Sequence, residues 1–507
     1  MTFISSGLVS APVVIGSIVI VAIAYDLYLI FLHPLANVPG PFWATFNKLW
    51  MAKHSWSGDM NTTMIALHEK HGSLVRTGPR EVSISDTAAI KTMYGAGTKF
   101  RKSEWYSVWQ GHRKFDLFAE RSEKLHGEQR RLVSRPYSMD SLKLLEPYVD
   151  DAVRVFTNEM VKRVGKVVDI GYWAQLFAFD VIGEVTFSKR FGFMDVGQDD
   201  GSVQQIERAL KCASWIGQVP GLYWLHDLLM PYIGNHLAIT ARHGSLRTFA
   251  TNQIAARKDR GSDRPDILSQ LLAAQAEKGG HLDDNGVTSM ATSNIFAGSD
   301  TTAISTRAII YYLLKNPECK QKLLQELEAK HQQGQLSHPV TLKEAENMPY
   351  LQAIMYEALR LHPAVGMSLP RVVPEGGCTI ANTYLPAGTV IGANPWVIHR
   401  NTEVFGQDVN VFRPERWMKV GGSAAEERRV GDMHRFFFAF GSGARMCIGR
   451  NISWMEMSKV IPTLFWKFDI ELVEPEKEWE LKCWWFVLQT GIEVRLRPRV
   501  LSSDQKS

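Results

Sequence analysis

Residues 440–449, FGSGARMCIG, constrain the fold of this chain more than any other segment. Their one cysteine, Cys447, stands between Gly443 and Gly449, and a residue without a Cβ lets a flat ligand approach the backbone closely. A lone cysteine in a reducing compartment is most often an inert buried side chain. The glycines around this one instead predict a loop that brings a sulfur up to a ligand.

The other residues of this loop indicate which ligand that is. Arg445 offers a cationic fork suited to a carboxylate, and Phe440 offers an aromatic wall. A helical pattern follows from Ile452, and the positive end of that helix, with its free N–H groups, would favour a thiolate at Cys447. Haem matches this set, because its iron accepts sulfur, its propionates accept arginine and its ring is flat. The sequence therefore predicts a haem whose iron is ligated by Cys447.

Composition excludes several other classes of protein. The 507 residues include five cysteines, which are widely spaced and contain no C-x-x-C pair. This pattern argues against a disulfide framework and a structural zinc site, and it favours a reducing compartment. The formal net charge of +5 is mild and does not indicate a nucleic-acid partner. A chain of this length can bury a core large enough for an internal cofactor.

The N-terminal region predicts a membrane anchor. Residues 8–25 carry no charge, and after Asp26 the apolar stretch continues to Leu32, which is long enough to cross a bilayer as a helix. A cleaved signal peptide is one alternative, since residues 22–24 (AIA) resemble a cleavage site, and a buried core helix is another. Against the signal peptide, residues 1–7 lack a basic residue and the apolar run is too long.

The chain is expected to divide into three parts. Residues 1–32 would form the anchor, and residues 33–42, HPLANVPGPF, a stiff proline-rich hinge. Residues 43–507 show no obvious linker and would form one catalytic domain. Basic residues appear only after the span, at Lys48 and Lys53, which would leave this domain on the cytoplasmic side of the membrane.

The pattern of apolar residues predicts a mainly α fold with a minor β region. Helical spacing covers residues 142–164, 284–315 and 317–333. Strands are predicted for four short stretches, near Ser73, Val82, Thr389 and Gly491. Within the long helix, residues 297–302 (AGSDTT) combine a glycine with three hydroxyl residues, which can bond back to backbone carbonyls. Two interpretations stay open: a tolerated kink, or a local opening that exposes polar groups to a substrate.

The loop around Cys447 resembles the cysteine loop of the cytochrome P-450 superfamily of haem-thiolate monooxygenases. Four further segments resemble family signatures in the expected order. They are the proline-rich hinge at 33–42, the oxygen-binding helix at 297–302, the E-x-x-R helix at 357–360 and the P-E-R-F segment at 414–417, where Trp417 replaces the final phenylalanine. The resemblance covers nearly the whole chain. It implies the cytochrome P-450 fold, preceded here by one N-terminal transmembrane helix.

The resemblance also implies roles for individual residues. Thr301 and Asp300 would deliver protons for O–O cleavage, and Glu357, Arg360 and Arg416 would form a partly buried structural triad. The metal ligand of haem b would be Cys447. Seven further residues would contact the haem or its propionates, namely Phe440, Arg445, Gly449, Arg130, His126, Arg371 and Ala297. The role of His126 is the weakest of these, because many family members have tryptophan there.

Electrons are expected from outside the chain, because it has no flavin or nicotinamide fingerprint. By resemblance, NADPH would supply them through a partner reductase, with cytochrome b5 as a second candidate donor, at the endoplasmic reticulum membrane. Basic side chains could dock such an acidic partner, and the alternative is that they form a solvated basic surface without a partner. They lie on the His126 helix and before the cysteine loop, at Lys124, Arg130, Arg131, Arg135, Arg428, Arg429 and Arg435.

The substrate would be a small lipophilic molecule in an aromatic-walled pocket. By resemblance the pocket would include Trp105, Trp109, Trp215, Trp224, Phe296, Met367 and Phe486. The amino-acid sequence as a whole is most similar to fungal secondary-metabolism members of the family, in particular the pisatin demethylase group. Two alternatives remain at this point: a haem-thiolate isomerase or dehydratase that needs no external electrons, and a haem-binding protein without catalysis.

Overall fold

The computed structural model describes residues 11–235, 244–261, 264–277, 282–419 and 421–499, and these are mainly α-helical. In chain order the helices are α1 (Ala11–Phe31), α2 (Leu49–Ser57), α3 (Met60–His71), α4 (Thr87–Tyr94), α5 (Trp105–Gln110), α6 (Glu123–Val133), α7 (Met139–Lys143), α8 (Glu146–Val161), α9 (Ile170–Phe187), α10 (Phe193–Val196), α11 (Ser202–Ile216), α12 (Pro220–Ile233), α13 (Gly244–Arg260), α14 (Ile267–Glu277), α15 (Asp284–Lys315), α16 (Pro317–Gln332), α17 (Leu342–Glu346), α18 (Pro349–Leu361), α19 (Pro395–Ile398), α20 (Thr402–Phe405), α21 (Ala424–Arg435) and α22 (Arg450–Lys467).

The β region consists of short strands in small sheets. The strands are β1 (Leu74–Gly78), β2 (Glu81–Ile84), β3 (Arg101–Lys102), β4 (Val167–Asp169), β5 (Arg371–Val372), β6 (Cys378–Ile380), β7 (Thr383–Leu385), β8 (Val390–Ala393), β9 (Phe468–Leu472), β10 (Glu480–Trp484), β11 (Phe486–Thr490) and β12 (Glu493–Pro498). The largest sheet has the order β1-β2-β8-β5-β3, and the others are β4-β12-β9, β10-β11 and β6-β7. The predicted mainly α fold with a minor β region is confirmed.

The predicted elements agree with the structure with one exception. The long helix and its successor match α15 and α16, and the four predicted strands match β1, β2, β8 and β12. The single helix predicted over residues 142–164 is wrong, because the structure has α7 and α8 there, separated at Leu144 and Leu145. The reason is Pro147 in the first turn of α8, a residue that lacks the N–H needed inside a continuous helix.

Helix α1 is the predicted apolar N-terminal helix. Its segment Pro12–Phe31 is long and apolar enough to cross a membrane, and nearly all of it is exposed. The proline-rich segment that follows packs onto the body rather than extending freely. Leu35 is fully buried, and the buried Arg76 of β1 donates from Nη1 to the carbonyl of Leu29 at 3.0 Å. The helix is confirmed, and the position of these residues in a membrane stays a prediction.

The long helix α15 runs through the core, where it packs against α9, α18 and α22. It is continuous from Asp284 to Lys315, with Ala297 exposed and Thr301 partly exposed at its centre, and a local opening towards a substrate stays a prediction. The hydroxyl groups bond back along the helix as predicted: Ser299 donates to the Ile295 carbonyl and Thr301 to the Ala297 carbonyl, both at 2.7 Å.

The predicted triad is present and fully buried. Arg360 donates to both carboxylate oxygens of Glu357 at 2.8 Å, and Arg416 Nε donates to Oε1 at 3.0 Å. Trp417, the residue that departs from the family pattern, donates from Nε1 to Glu357 Oε2 at 2.8 Å. A buried carboxylate is tolerated only when it is paired and hydrogen-bonded, and the tryptophan adds a donor that phenylalanine could not supply.

A buried histidine connects this triad to the cysteine loop. Arg360 donates from Nη1 to the carbonyl of His399 at 3.0 Å, and His399 Nδ1 lies 3.0 Å from the Arg360 carbonyl. On the other side of the ring, Nε2 accepts the backbone N–H of Phe438 at 2.7 Å. Burial lowers the pKa of His399 to about 3, so its ring is neutral and can donate from one nitrogen and accept at the other. The triad thereby fixes the entry to the loop that carries Cys447.

Candidate active site

The cysteine loop ends at the N-terminus of α22. The backbone N–H of Cys447 donates to the Phe440 carbonyl at 2.9 Å, which closes the loop. The loop residues Gly443–Arg445 form a short 3-10 turn, and α22 begins at Arg450. Burial raises the pKa of the Cys447 thiol, while the N–H groups of Gly449 and Arg450 and the guanidinium of Arg130 favour the thiolate. The predicted helix end is therefore present beside the sulfur.

The two glycines of the loop have different roles. A Cβ on Gly443 would lie 1.9 Å from the carbonyl oxygen of Tyr94, and its φ of +61° also favours glycine. The expectation that Gly443 makes room for a flat ligand is therefore wrong, because the end of α4 occupies that place. At Gly449 the nearest atom to such a Cβ is the Cys447 sulfur, at 3.9 Å, so the space beside the sulfur is open as expected.

Two parts of this region border a space inside the fold. Cys447 is exposed although burial raises the pKa of its thiol, and Ala297 is exposed although Ile295 and Ser299 of the same helix are fully buried. Helices α15 and α22 lie side by side, joined by a hydrogen bond of 2.7 Å between Thr302 and a serine of α22.

A cluster of cations lies close to the cysteine loop. The β3–β5 pairing places Lys102 directly opposite Arg371, and both side chains are buried. Arg445 donates to the Glu123 carboxylate from Nε at 3.0 Å and from Nη2 at 2.8 Å, and Arg371 Nη1 lies 3.5 Å from the same carboxylate. Arg371 Nε has no hydrogen-bond partner among the described residues.

His126 and Arg130, from the first and last turns of α6, complete the cluster. Burial lowers the pKa of His126 to about 3, and the nearby charges of Arg445, Lys102, Arg130 and Arg371 act in the same direction. The half-buried Arg130 is coupled electrostatically to both Cys447 and Arg445. His126 is therefore a neutral side chain inside a group of four cations.

This charge pattern fits a haem. Like charges directly opposite each other on neighbouring strands are destabilising, and buried charges require partners. Two arginines, Arg371 and Arg445, share the Glu123 carboxylate. Burial and these arginines lower the pKa of Lys102, which indicates that the cluster lacks negative charge. The two propionates of a haem would supply that charge beside a sulfur that can bind the iron. By charge, donor set and open space at Gly449, the residues present fit the group.

Asp300 lies inside the protein next to Thr301 on α15. Gln175 of α9 donates from Nε2 to Asp300 Oδ1 at 2.5 Å, whereas Oδ2 has no hydrogen-bond partner among the described residues. Burial raises the pKa of this carboxyl to about 7, which the distant charge of Arg307 and the amide of Gln175 only partly oppose. Thr301 is partly exposed on the same side of the helix as Ala297. This pair can hold and release a proton near neutral pH.

Several aromatic side chains that were predicted to line the pocket form one cluster in the structure, and their role as its wall stays a prediction. The ring of Trp485 lies 4.6 Å from Trp105, 6.0 Å from Trp109 and 5.7 Å from Phe118, measured between centroids. Trp485 has a φ of +75°, uncommon for a residue with a side chain, at the tip of the β10–β11 hairpin. Behind it, Phe296 and Phe486 are 6.4 Å apart.

Two of the predicted pocket residues lie outside this cluster. Trp215 contacts the exposed Trp56 at 5.8 Å, and Trp224 contacts His112 at 5.6 Å, and both are half-buried.

The predicted basic surface is smaller than the sequence indicated. Arg130 is directed to the cysteine loop, and Arg429 is bound to Glu426 at 2.7 Å and to the Arg416 carbonyl at 2.8 Å. The remaining five side chains are exposed, and they are Lys124, Arg131, Arg135, Arg428 and Arg435.

Sequence reasoning missed three residues of the site. Lys102 carries no motif, and only the pairing of β3 with β5 reveals that it faces Arg371. Glu123 and Gln175 are likewise placed by tertiary contacts, although Glu123 begins the helix that was already singled out for His126.

Comparisons with known proteins agree with this geometry. A sequence model of the cytochrome P-450 family matches residues 37–494. The cytochrome P-450 monooxygenase hepC of Aspergillus oryzae is 39% identical over 495 residues, which cover 94% of this chain and 96% of the relative. The monooxygenase cicH of Emericella nidulans is 36% identical over 481 residues, covering 92% and 94%. A pisatin demethylase of Fusarium vanettenii is 33% identical over 506 residues, covering 96% and 94%.

A cysteine loop at a helix N-terminus, a buried cluster of cations and a long hydroxyl-rich helix together define the class of haem-thiolate oxidoreductases. With the matches above, the chain belongs to the cytochrome P-450 family and is a monooxygenase of that family. Membership implies a haem-thiolate iron cofactor. The roles of individual site residues stay predictions.

Proposed function

We propose that this protein uses electrons from NADPH, delivered by a partner reductase, to hydroxylate, demethylate or further oxidise a small lipophilic natural product. The observation that carries this proposal is the buried carboxyl of Asp300 beside Thr301 on α15. An isomerase or dehydratase of the same fold needs no proton delivery for O–O cleavage, and a haem-binding protein without catalysis needs neither residue. The presence of the pair therefore favours an enzyme that activates oxygen.

The haem would be held by residues from five parts of the fold, namely β3, α6, β5, α15 and the cysteine loop. Cys447 would ligate the iron, and the propionates would be bound by the four cations, Lys102, Arg130, Arg371 and Arg445. Phe440, Gly449 and Ala297 would contact the ring. Because His126 is neutral, it would act as a hydrogen-bond partner of a propionate rather than as a counter-charge.

When bound, this group supplies oxygen binding and one-electron chemistry, and its thiolate ligand favours O–O cleavage. The chain supplies protons and excludes water. With a pKa near 7, Asp300 can lose and regain a proton at working pH. Thr301 lies next in sequence, and rotation of its hydroxyl away from the Ala297 carbonyl would let it pass that proton towards the pocket. The aromatic cluster around Trp485 would keep bulk water away.

The proposal extends to the location and the partners, which the apolar helix α1 and the exposed basic side chains support. We place residues 1–32 in the endoplasmic reticulum membrane as a single-pass anchor, residues 33–42 as the hinge, and residues 43–507 in the cytosol as the catalytic domain. Residues 1–10 and 500–507 lie outside the described residues. The five exposed basic side chains would dock the reductase, with cytochrome b5 as a second donor.

The substrate class rests on the pocket and the relatives together. The wall of tryptophan and phenylalanine favours an apolar molecule. Relatives include a pisatin demethylase and several fungal monooxygenases, which supports a role in fungal secondary metabolism.

Turnover of a lipophilic extract with purified reductase tests the proposal. We expect NADPH-dependent product, with one oxygen atom from ¹⁸O₂ either in a hydroxylated product or in the formaldehyde that demethylation releases, and loss of coupling between NADPH use and product in Thr301→Ala with haem retained. Product formed equally well without NADPH and reductase would contradict the proposal and support the isomerase. NADPH that is never consumed with any extract would support a protein without catalysis.

A further inference from the structure

A buried relay of side chains leads from Asp300 to a second helix. Gln175 on α9 donates from Nε2 to Asp300 Oδ1 at 2.5 Å, and its Oε1 accepts from Arg307 Nη2 at 2.8 Å. Arg307 is anchored in turn by donating from Nε to the Gly171 carbonyl at 2.7 Å. All three side chains are buried.

The arginine decides which way the glutamine faces. A guanidinium has only donors, so the amide oxygen of Gln175 must face Arg307, and the amide N–H groups must then face Asp300. The carboxyl of Asp300 thus has one oxygen held by a donor, while Oδ2 is buried without a partner among the described residues.

The glutamine also keeps two charges apart. Asp300 and Arg307 lie seven residues apart on one helix, about 10 Å along its axis. Direct contact with a guanidinium would hold the carboxyl ionised. With a neutral amide between them, the guanidinium acts only over a distance, and burial remains the largest influence on the carboxyl. Other elements add Glu207 of α11, which acts on both groups, and Asp169, which acts on Arg307.

We propose that Gln175 is a positioning residue that Arg307 holds in place, so that it fixes one oxygen of the Asp300 carboxyl, separates it from the guanidinium and leaves the other oxygen free to exchange a proton. The inference rests on the proposed function, in which Asp300 delivers protons. Gln175 lies on α9, outside every motif of the sequence, and would help to control proton delivery by Asp300.

Infrared titration of the full-length ferric protein tests the inference without turnover. The C=O stretch of the protonated carboxyl is assigned by its loss in Asp300→Asn, and its midpoint in the native protein is expected at a pH of about 7. Gln175→Leu removes a donor that favours the charged form, so the midpoint should rise by about one pH unit. Gln489→Leu is the matched control, since Gln489 is also buried and donates to α15, at the Ile304 carbonyl, but does not touch Asp300.

A second variant separates positioning from a purely structural role. Gln175→Met keeps the length of the side chain and adds no charge, but it has no donor for Asp300. The inference predicts a raised midpoint here as well, whereas a residue that only fills the space between the helices would leave the midpoint unchanged. Because the shape is preserved, this variant remains informative if Gln175→Leu does not fold.

Turnover gives an independent result. In Gln175→Leu and Gln175→Met, product per NADPH should fall several-fold at neutral pH, and the alkaline limb of the pH profile should move upward with the infrared midpoint. An infrared midpoint that is unchanged in both variants would overturn the inference. Unchanged coupling in Asp300→Asn would instead overturn the proposed role of Asp300, and the infrared midpoints would still show whether Gln175 controls this carboxyl.

Discussion

Replacement of Asp300 by asparagine should stabilise the protein more at alkaline pH than at acidic pH. The pKa of this carboxyl is 3.8 in an unfolded chain and about 7 in the folded protein. Between these values the unfolded chain loses the proton while the folded protein keeps it, so native stability falls as pH rises through this window and is constant above it. At 1.36 kcal/mol per pH unit, the full loss is about 4 kcal/mol, of which about 3 kcal/mol falls between pH 5 and pH 8.

The assay compares melting temperatures of the two proteins at pH 5 and pH 8. With an unfolding entropy of about 2 cal/mol/K per residue, a 507-residue chain changes its midpoint by roughly 1 °C per kcal/mol. The advantage of Asp300→Asn over the native protein should therefore grow by about 3 °C from pH 5 to pH 8. Any pH-independent cost of the new amide cancels in this difference.

Two controls isolate the effect. Buried histidines, including His362 and His399 with pKa values lowered to about 3, destabilise the fold as pH falls through 6.5, but they do so equally in both proteins. Asp140→Asn removes the same charge from an exposed position and measures the generic effect of net charge. A pH-independent difference between Asp300→Asn and the native protein would refute the reasoning about this carboxyl.

Three other substitutions test the surroundings of the site. Trp417→Phe removes the donor to the buried Glu357 carboxylate and should cost about 1.5–3 kcal/mol, seen as a melting temperature lower by a few degrees; an unchanged value would show that this bond adds nothing to the triad. Lys102→Met should speed haem transfer to apomyoglobin roughly tenfold or more, because a charged hydrogen bond to the haem is lost. Lys99→Met, at an exposed position, should leave the transfer rate unchanged, and equal rates in the two variants would show that Lys102 does not bind the haem. His399→Leu leaves the Phe438 N–H unpaired and should cost about 1–3 kcal/mol at pH 8 by the same melting assay. At pH 6 the cost should be smaller by about 0.8 kcal/mol, because the native histidine stays neutral in the fold while it gains a proton in the unfolded chain; a cost that is equal at both pH values would mean that the ring takes up the proton in the fold as well.

Local signals in the sequence were sufficient to predict the long helices and to locate the motifs. Helical periodicity located α15 and α16, and the E-x-x-R spacing located Glu357 and Arg360, because both depend on residues within one or two turns of each other. The same reasoning overlooked Pro147, whose effect on the helix is equally local and was available from the sequence.

Features that depend on contacts between distant segments could not be predicted in this way. Lys102 faces Arg371 only because β3 pairs with β5. Gly443 is required by the Tyr94 carbonyl of α4, so the need for a glycine was correct while its reason was wrong. Trp417 departed from the family pattern, and its bond to Glu357 gives that departure a physical meaning.

The central claim is that the sulfur of Cys447 binds the haem iron. X-ray absorption at the iron edge of the purified ferric protein, together with the carbonyl spectrum of the reduced protein, measures this directly. We predict one sulfur ligand and the thiolate-type carbonyl absorption, both lost in Cys447→Ala, whereas Cys319→Ala, a substitution at a buried cysteine of α16, retains both. An iron shell of nitrogen and oxygen alone in the native protein, or a thiolate spectrum that survives Cys447→Ala, would contradict the account.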